Sequence, residues 1–258
     1  MMRSEWRDHD WQLIHAAPQS PSLHMALDDV LVRDVGAGLR PPTLRIWEWA
    51  SSAVVIGRFQ SLRNEVDMDA AQRHGIEVVR RISGGGAMFI EPGNTITYSI
   101  YAPLSLIKGL SFQAAYALMD EWVIEALGTL GIKAWYQPLN DITSAAGKIA
   151  GAAQAHRGGA VLHHVTMAYD IDAQKMLEVL RIGREKLSDK GTTSAAKRVD
   201  PLRSQTGLPR EAVIETMIAC FRRRYGLGND GLRLDELVRA EALGLERFST
   251  AAWRADVP

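Results

Sequence analysis

The chain has 258 residues, of which 47% are hydrophobic and 23% are charged, and its 30 basic residues balance its 30 acidic ones. This composition is typical of a globular protein with a sizeable core, and a net charge of zero excludes recruitment of nucleic acid or an anionic membrane by a bulk positive field. Cys220 has no partner for an internal disulfide, and the sequence has neither a signal-peptide core nor an apolar run long enough to span a membrane. We therefore expect a cytoplasmic protein that binds neither nucleic acid nor membrane.

Hydrophobic periodicity in the first eighty residues predicts strands that alternate with helices. The run 53–57 (AVVIG) is apolar throughout, which is typical of a strand buried on both faces. Ser22 is expected to cap the first helix, and Gly75 to end the second. The predicted elements are a strand at 11–15, a helix from Ser22 to about Val35, strands at 43–49 and 53–57, and a helix at 64–74.

Residues 80–89 read RRISGGGAMF, and we call this segment the glycine loop. Predicted strands at 75–79 and 95–101 flank it, so the loop joins two strands. It therefore differs from a P-loop and from a dinucleotide-binding fingerprint, both of which lead into a helix. Three glycines let a ligand approach main-chain N–H groups, and two arginines favour an anion such as phosphate or carboxylate. A glycine-rich hairpin without a ligand is the alternative.

The rest of the chain predicts helices around a pair of strands. Ser111 caps a helix that ends at Gly128 or Gly131, and the turn at 157–159 (RGG) joins the two strands. Residues 183–205 are polar and give no assignable pattern. The predicted elements are a helix at 112–127, a turn at 138–141, strands at 148–154 and 160–169, a helix at 172–180, a helix opened by Pro209, and a helical tail from Leu234.

Several separated segments resemble lipoate protein ligases in their order and spacing. They are 54–60 (VVIGRFQ), the glycine loop with Gly93-Asn94 behind it, Asn140-Asp141 followed by 147–153 (GKIAGAA), 162–166 (LHHVT) and 190–194 (KGTTS). The resemblance extends from about Trp11 to about Tyr225. It implies an α/β fold of the α+β type, in which helices flank a mixed, largely antiparallel central sheet, as in class II aminoacyl-tRNA synthetases and biotin/lipoate ligases.

The resemblance further implies that the chain uses ATP to activate lipoate as lipoyl-AMP and then transfers the lipoyl group to a lysine of an acceptor domain. ATP and lipoate would be the substrates, with Mg²⁺ carried by the phosphates. Lys148 is the candidate catalytic residue, because a compact ammonium between a carboxylate and the α-phosphate offsets the charge that builds up as the two anions meet. Gly147 and Gly151 remove bulk on both sides of it, as a close-fitting ligand requires. An exposed strand lysine is the alternative.

The same resemblance assigns binding roles to residues around Lys148. Arg81 would hold phosphate, and Asn140 and Asp141 would contact the adenosine or its Mg²⁺, with an Asx turn as the alternative for that pair. His163 and His164 adjoin on a predicted strand, so only one of them can face the site. The candidate residues for binding ATP or the acid are Arg58, Arg81, Ser83, Gly84, Gly85, Gly86, Ala87, Met88, Phe89, Asn94, Asn140, Asp141, Gly151, Ala152, Ala153, His164 and Thr166.

The chain departs from the family pattern at two points. Residues 90–91 read IE where the family usually has His-Asp, and residues 194–198 read SAAKR where it often has Ser-Val-Arg-Ser-Arg. A length of 258 residues leaves little room for the accessory domain of many ligases, so we expect residues 1–258 to form a single catalytic domain. Its expected partners are a lipoyl acceptor protein and a separate accessory chain, and we expect a covering loop within residues 183–205.

Other functions are open from the sequence. An octanoyl or lipoyl transferase would move an acyl chain between carrier proteins without ATP, but related transferases use a cysteine in the site, and residues 142–146 (ITSAA) contain none. Cys220 is predicted on an amphipathic helix, where a free cysteine is usually buried. A non-catalytic binder of lipoate or its adenylate would suit the two departures, and a biotin ligase would share the chemistry with a different glycine loop.

Overall fold

The computed structural model describes residues 2–181 and 199–258. The helices are α1 (Met2–Arg7), α2 (Pro21–Gly36), α3 (Leu62–Glu65), α4 (Met68–Arg73), α5 (Phe112–Thr129), α6 (Ala173–Val179), α7 (Leu202–Thr206), α8 (Arg210–Tyr225), α9 (Leu234–Leu243) and α10 (Ala251–Arg254). A 3₁₀ turn spans Leu104–Ile107 and a π-helical turn spans Gly244–Phe248. The strands are β1 (Gln12–His15), β2 (Thr43–Trp47), β3 (Ala53–Ile56), β4 (Glu77–Arg80), β5 (Met88–Ile90), β6 (Thr95–Pro103), β7 (Ala134–Gln137), β8 (Asp141–Ser144), β9 (Gly147–Arg157), β10 (Ala160–Ala168) and β11 (Gly228–Asn229).

The strands form a large mixed sheet and a small one. Within the described residues the large sheet has eight strands in the order β11-β1-β2-β6-β10-β9-β8-β7, and only the pairs of β1 with β11 and with β2 are parallel. The small sheet has the order β4-β3-β5, with β3 parallel to β4 and antiparallel to β5. The predicted α/β fold with a mixed, largely antiparallel sheet flanked by helices is confirmed.

The two faces of the large sheet bury different helices. On one face, Val161, Val165 and Met167 of β10 join a hydrophobic core with residues of α5 and α8. On the other face, Ala160 and Leu162 join a second core with residues of α2. Because successive strand side chains point to opposite faces, His163 and His164 lie on different sides of the sheet.

The strand predictions locate most of the sheet, but two helix boundaries differ. Ser20 rather than Ser22 caps α2, because Pro21 occupies the first helical turn and Ser20 Oγ accepts a hydrogen bond from Leu23 N. The predicted helix at 64–74 is divided into α3 and α4, because Asp67 is extended and caps the second segment through Ala70 N.

Three further points concern the predictions along the chain. Strands β7 and β8 were not predicted from the sequence. The segment at 183–205, which gave no assignable pattern, lies largely outside the described residues. The predicted covering loop and residues 190–198, which carry part of the family resemblance, lie outside them as well. Across residues 2–181 and 199–258, no helix combines the length and apolar character needed to cross a bilayer.

Candidate functional site

A cavity of about 180 Å³ lies between the glycine loop, β9 and β10. Most of the predicted site residues line it. They are Arg81, Gly86, Ala87, Met88, Phe89, Asn140, Lys148, Gly151, Ala152, Ala153, His164 and Thr166. The other lining residues are apolar, and sequence reasoning missed them: Ile149, Ala150, Ala168, Ile171, Met176, Leu180 and Val199.

A β-bulge turns Lys148 toward this cavity. Ile142 of β8 pairs with Ala150, and Thr143 pairs with Lys148, so Ile149 is an extra residue on β9. Regular alternation would place Lys148 on the same face as Ala150 and Ala152, which pack in the core with α5. The extra residue reverses this phase, and Lys148 lies on the face of Gly151.

The ammonium of Lys148 forms an ion pair at the edge of the cavity. Lys148 Nζ lies 2.7 Å from Asp141 Oδ1, and the Lys148 side chain is 33% exposed. A side chain at Gly151 would place its Cβ 3.2 Å from Lys148 Nζ. Because residue 151 is glycine, there is room for the ammonium at this position. Asp141 thus holds Lys148, and the contact with adenosine or Mg²⁺ that the family resemblance implies stays a prediction.

The glycine loop is fixed from inside by Arg81. This guanidinium is buried, and it donates hydrogen bonds to Ser83 Oγ and to the carbonyl oxygens of Val55, Gly84 and Gly86 at 2.6–3.3 Å. Burial lowers the pKa of Arg81 to about 10. Arg81 therefore shapes the glycine loop, and its contact with a phosphate stays a prediction of the family resemblance.

Arg80 and Arg58 bind the C-terminal part of the chain. The buried Arg80 guanidinium donates to backbone carbonyls of the 57–60 turn and of residues 253–257. Arg58 pairs with Asp256 at 2.5 Å and lies over the ring of Trp253. Neither side chain lines the cavity.

His164 connects the glycine loop to helix α2. Its Nε2 lies 2.7 Å from Ser83 Oγ, and its Nδ1 lies 2.8 Å from Asp28 Oδ2. Burial lowers the pKa of His164, so the ring is neutral near pH 7. With the carboxylate of Asp28 accepting from Nδ1–H, Nε2 accepts from the hydroxyl of Ser83, which itself accepts from Arg81.

Asp28 is a residue of this network that the sequence analysis missed. Its Oδ1 accepts from Tyr101 OH at 2.5 Å and from Ser99 Oγ at 3.1 Å, and it lies 3.6 Å from Arg45 Nη1. The available signal was an aspartate inside the apolar helical run LHMALDDVLV (23–32), since a buried carboxylate requires partners.

Other predicted residues have structural partners. Asn140 Nδ2 donates to Ala152 O, and Ala152 N donates to Asn140 O, so the side chain and backbone of Asn140 brace β9. Asn94 donates to Glu91 Oε2. The residues of the predicted set that do not line the cavity are Arg58, Ser83, Gly84, Gly85, Asn94 and Asp141.

The described residues contain no group of three or more His, Cys, Asp or Glu side chains that could hold a metal ion. Cys220 is buried on α8 and its Sγ donates to Trp122 O at 3.3 Å. Burial raises the pKa of this thiol, which keeps it in the unreactive protonated form.

Curated relatives correct the predicted activity. The chain is 27% identical to octanoyltransferase LipM of Lysinibacillus sphaericus over 82% of this chain and 84% of that protein. It is 28% identical to octanoyltransferase LipM of Macrococcus caseolyticus over 95% and 98% of the two chains. The prediction of an ATP-dependent lipoate protein ligase is therefore wrong, and the relatives favour the alternative of an acyl transferase.

Solved structures share the fold. A bi-partite lipoate protein ligase from Thermoplasma acidophilum, studied with its E2 lipoyl domain, superposes with a TM-score of 0.82 at 27% identity and covers 96% of this chain and 97% of that one. A structure of a protein from the same organism with bound lipoic acid gives a TM-score of 0.81 at 25% identity, covering 96% and 100% of the two chains.

A family model decides the family. The model of the lipoyl protein ligase A/B catalytic domain matches residues 20–222, which include the glycine loop, the Lys148 bulge and His164. The predicted resemblance to lipoate ligases and their octanoyltransferase relatives is thereby confirmed. The chain belongs to the lipoyl protein ligase A/B catalytic domain family.

Proposed function

We propose that this protein transfers an octanoyl-type acyl group from a carrier-bound thioester to the ε-amine of a lysine on an acceptor domain, without ATP. The observation that carries the proposal is the ammonium of Lys148, ion-paired to Asp141, at the edge of a largely apolar cavity. The names of the curated relatives support the same reaction class. The fold shared with a structure that contains lipoic acid supports an acyl chain of this size as the ligand.

The cavity would bind the acyl chain through its apolar walls. Phe89, Ile149, Met176 and Leu180 supply large apolar surfaces, and the small residues 150–153 leave room between them. Burial of the chain would contribute about 0.8 kcal/mol for each methylene removed from water. Such a cavity selects a medium-length saturated or lipoyl chain by shape and polarity.

Lys148 would act on the carbonyl of the thioester. The acceptor amine attacks the carbonyl carbon, the C–S bond breaks, the nitrogen loses a proton, and the departing thiolate takes up one. Negative charge develops on the carbonyl oxygen during the attack, and the ammonium of Lys148 stabilises it. A positioned donor of this kind is worth roughly 3–4 kcal/mol in the transition state, and Asp141 keeps the ammonium from rotating away.

The reaction needs no cysteine in this scheme. Cys220 is the one cysteine of the sequence, and its position on α8 between buried partners separates it from the cavity. The acceptor amine would therefore attack the carrier thioester directly at Lys148, in contrast to relatives that hold the acyl group on a thiol.

The test is an assay with an octanoyl thioester of an acyl carrier domain and a lipoyl acceptor domain, with ATP omitted. Mass spectrometry of the acceptor records the gain of one octanoyl group over time. We expect the wild type to transfer the group, Lys148→Ala to lose roughly 10²–10³-fold in rate, and Cys220→Ser to keep the wild-type rate.

The matched control is Lys133→Ala, which removes an exposed lysine outside the cavity. Transfer that depends on ATP, or an equal loss in Lys148→Ala and Lys133→Ala, would contradict the proposal. Full loss in Cys220→Ser would show that a covalent route through the thiol replaces direct attack.

A further inference from the structure

Four arginines from separate parts of the sequence lie near one another at the surface, and we call them the arginine strip: Arg33, Arg58, Arg157 and Arg247. The guanidinium carbons of Arg58 and Arg247 lie 4.6 and 3.8 Å from the ring centroid of Trp253. Arg33 Nε and Arg247 Nη1 lie 3.2 and 3.9 Å from the two carboxylate oxygens of Asp29. Trp253 and Asp29 therefore join three of the four cations.

Arg157 joins the strip through the turn between β9 and β10. A side chain at Gly158 would place its Cβ 3.8 Å from the Cα of Arg33, so this turn lies against α2. Burial lowers the pKa of Arg247, and so do the charges of Arg58, Arg33 and Arg157, against the opposing effect of Asp29. Mutual repulsion of this kind arises when several cations are held close together.

The strip carries an excess of positive charge. Its paired carboxylates are Asp29, whose side chain is 5% exposed, and Asp256, which is bound to Arg58. Among residues 2–181 and 199–258, two carboxylates thus pair with the four guanidinium groups, in a chain whose net charge is zero. The side chain of Arg33 is 55% exposed, so anions in solution can reach the strip.

An exposed aromatic ring completes this surface. Phe59 is 78% exposed, and its ring centroid lies 5.7 Å from the guanidinium carbon of Arg58. A Cβ at Gly84 would lie 3.8 Å from the Phe59 ring, so the ring packs on the glycine loop. Arginine and aromatic side chains are enriched at the centres of protein interfaces, where they supply most of the binding energy.

The strip and the cavity share the glycine loop. Arg58 N donates to Ser83 O at 2.8 Å, and a Cβ at Gly57 would lie 2.1 Å from Gly85 O, so the two backbones are in direct contact. Gly86 and Ala87 of the same loop line the cavity. A protein bound to the strip would therefore lie on the outer side of the wall that encloses the acyl chain.

We propose that the arginine strip and Phe59 form the docking surface for an acidic carrier domain that delivers the acyl group as a thioester on a flexible arm. The inference rests on the proposed function. Arg157 and Lys148 lie at opposite ends of β9, up to roughly 30 Å apart along the strand. A lysine side chain of an acceptor spans only roughly 6 Å, so a protein docked on the outer side of the cavity wall suits a thioester carried on a longer, flexible arm.

The primary test measures binding, so that it does not depend on turnover. The probe is an acidic acyl carrier domain loaded with octanoyl thioester, titrated at low ionic strength into wild type, Arg33→Gln/Arg157→Gln and Phe59→Ser. We expect each variant to weaken binding at least tenfold, and added salt to weaken wild-type binding more than that of the arginine variant. The control is Arg203→Gln/Arg223→Gln, whose arginines are 63% and 57% exposed outside the strip and which we expect to bind as wild type.

Absence of wild-type binding, or equal weakening in the strip and control variants, would overturn the docking surface. Weaker binding of the acceptor domain alone would overturn the assignment to the donor. Transfer from octanoyl-pantetheine, which has no protein to dock, should proceed at the wild-type rate in the two double-arginine variants. Failure of the wild type to transfer from either donor, with strip-dependent binding intact, would refute the proposed function and leave the docking surface standing.

Discussion

Two neighbouring histidines of β10 make the same contact on opposite faces of the sheet. His164 Nδ1 lies 2.8 Å from Asp28 Oδ2 on the side of α2, and His163 Nε2 lies 2.7 Å from Asp120 Oδ1 on the side of α5. All four side chains are buried. The surroundings of the two pairs differ.

On the α2 side, every polar atom of the pair has a partner. Asp28 also accepts from Tyr101 and Ser99, and His164 reaches the glycine loop through Ser83. On the α5 side, Asp120 lies near the hydroxyl of Tyr98, whose pKa is raised by burial and by the charge of Asp120, and the nearby Trp122 Nε1 and Gln154 Oε1 lack hydrogen-bond partners within the described residues. The first pair therefore couples the sheet to the site, whereas the second attaches α5 to the sheet.

The largest expected contrast is in stability, between Asp28→Asn and Asp120→Asn. Asp28→Asn removes a carboxylate beside the buried Arg45 and places an amide among hydrogen-bond donors, so we expect the free energy of unfolding to fall by about 3 kcal/mol. In Asp120→Asn the remaining oxygen still accepts from His163, and the new amide can donate to the hydroxyl of Tyr98, so we expect a loss below about 1 kcal/mol.

Urea denaturation of the two variants and the wild type measures these differences. The two substitutions are isosteric and both sites are buried, so each variant is the control for the other. Equal losses would show that the extra partners of Asp28 contribute nothing beyond the contact with histidine.

The next contrast is in activity, between His164→Ala and His163→Ala. His164→Ala separates Ser83 from Asp28 and frees the glycine loop, so we expect the rate of octanoyl transfer to fall roughly tenfold through misplacement of the cavity wall. His163→Ala acts on the opposite face and should change the rate less than about threefold.

Initial rates are compared at a temperature where circular dichroism shows both variants to be folded. Ser83→Ala is the informative companion, because it breaks the same link from the loop and should reproduce a large part of the His164→Ala loss. A greater loss in His163→Ala would reverse the assignment of the two faces.

Much of this fold follows from local pattern. The hairpin signal at 157–159 predicted the strand pair that contains β10, and the N-cap Ser111 with a helical apolar stripe predicted α5. The phase of Lys148 did not follow, because the bulge at Ile149 depends on the register between β8 and β9, which pairing rather than local sequence sets.

The site was predicted by position better than by role. The family resemblance grouped Arg81, Lys148 and His164, and these three residues line one cavity, while their roles there stay predictions. The contact of Arg81 with a phosphate stays a prediction of the resemblance, and nothing local in the sequence shows that loop carbonyls accept from its guanidinium. Asp28 and His164 of β10 are 136 residues apart in the sequence, so the partners of Asp28 are visible only in the folded chain.

The smallest expected effect is on the pH dependence of stability, and it arises on the α2 side. Burial lowers the pKa of His164, and burial followed by the charge of Arg45 lowers the pKa of His24 well below its usual value. As the pH falls below about 6.5, the unfolded chain takes up protons at these residues while the folded protein does not, so stability falls. Above that pH both states hold neutral rings and the contribution vanishes.

We expect His164→Gln to reduce the loss of unfolding free energy between about pH 7.5 and 5.5 by up to about 1 kcal/mol, and His24→Gln/His164→Gln to reduce it further. Urea titrations at the two pH values measure this, and an unchanged difference between wild type and the double variant would place the acid sensitivity outside the α2 side.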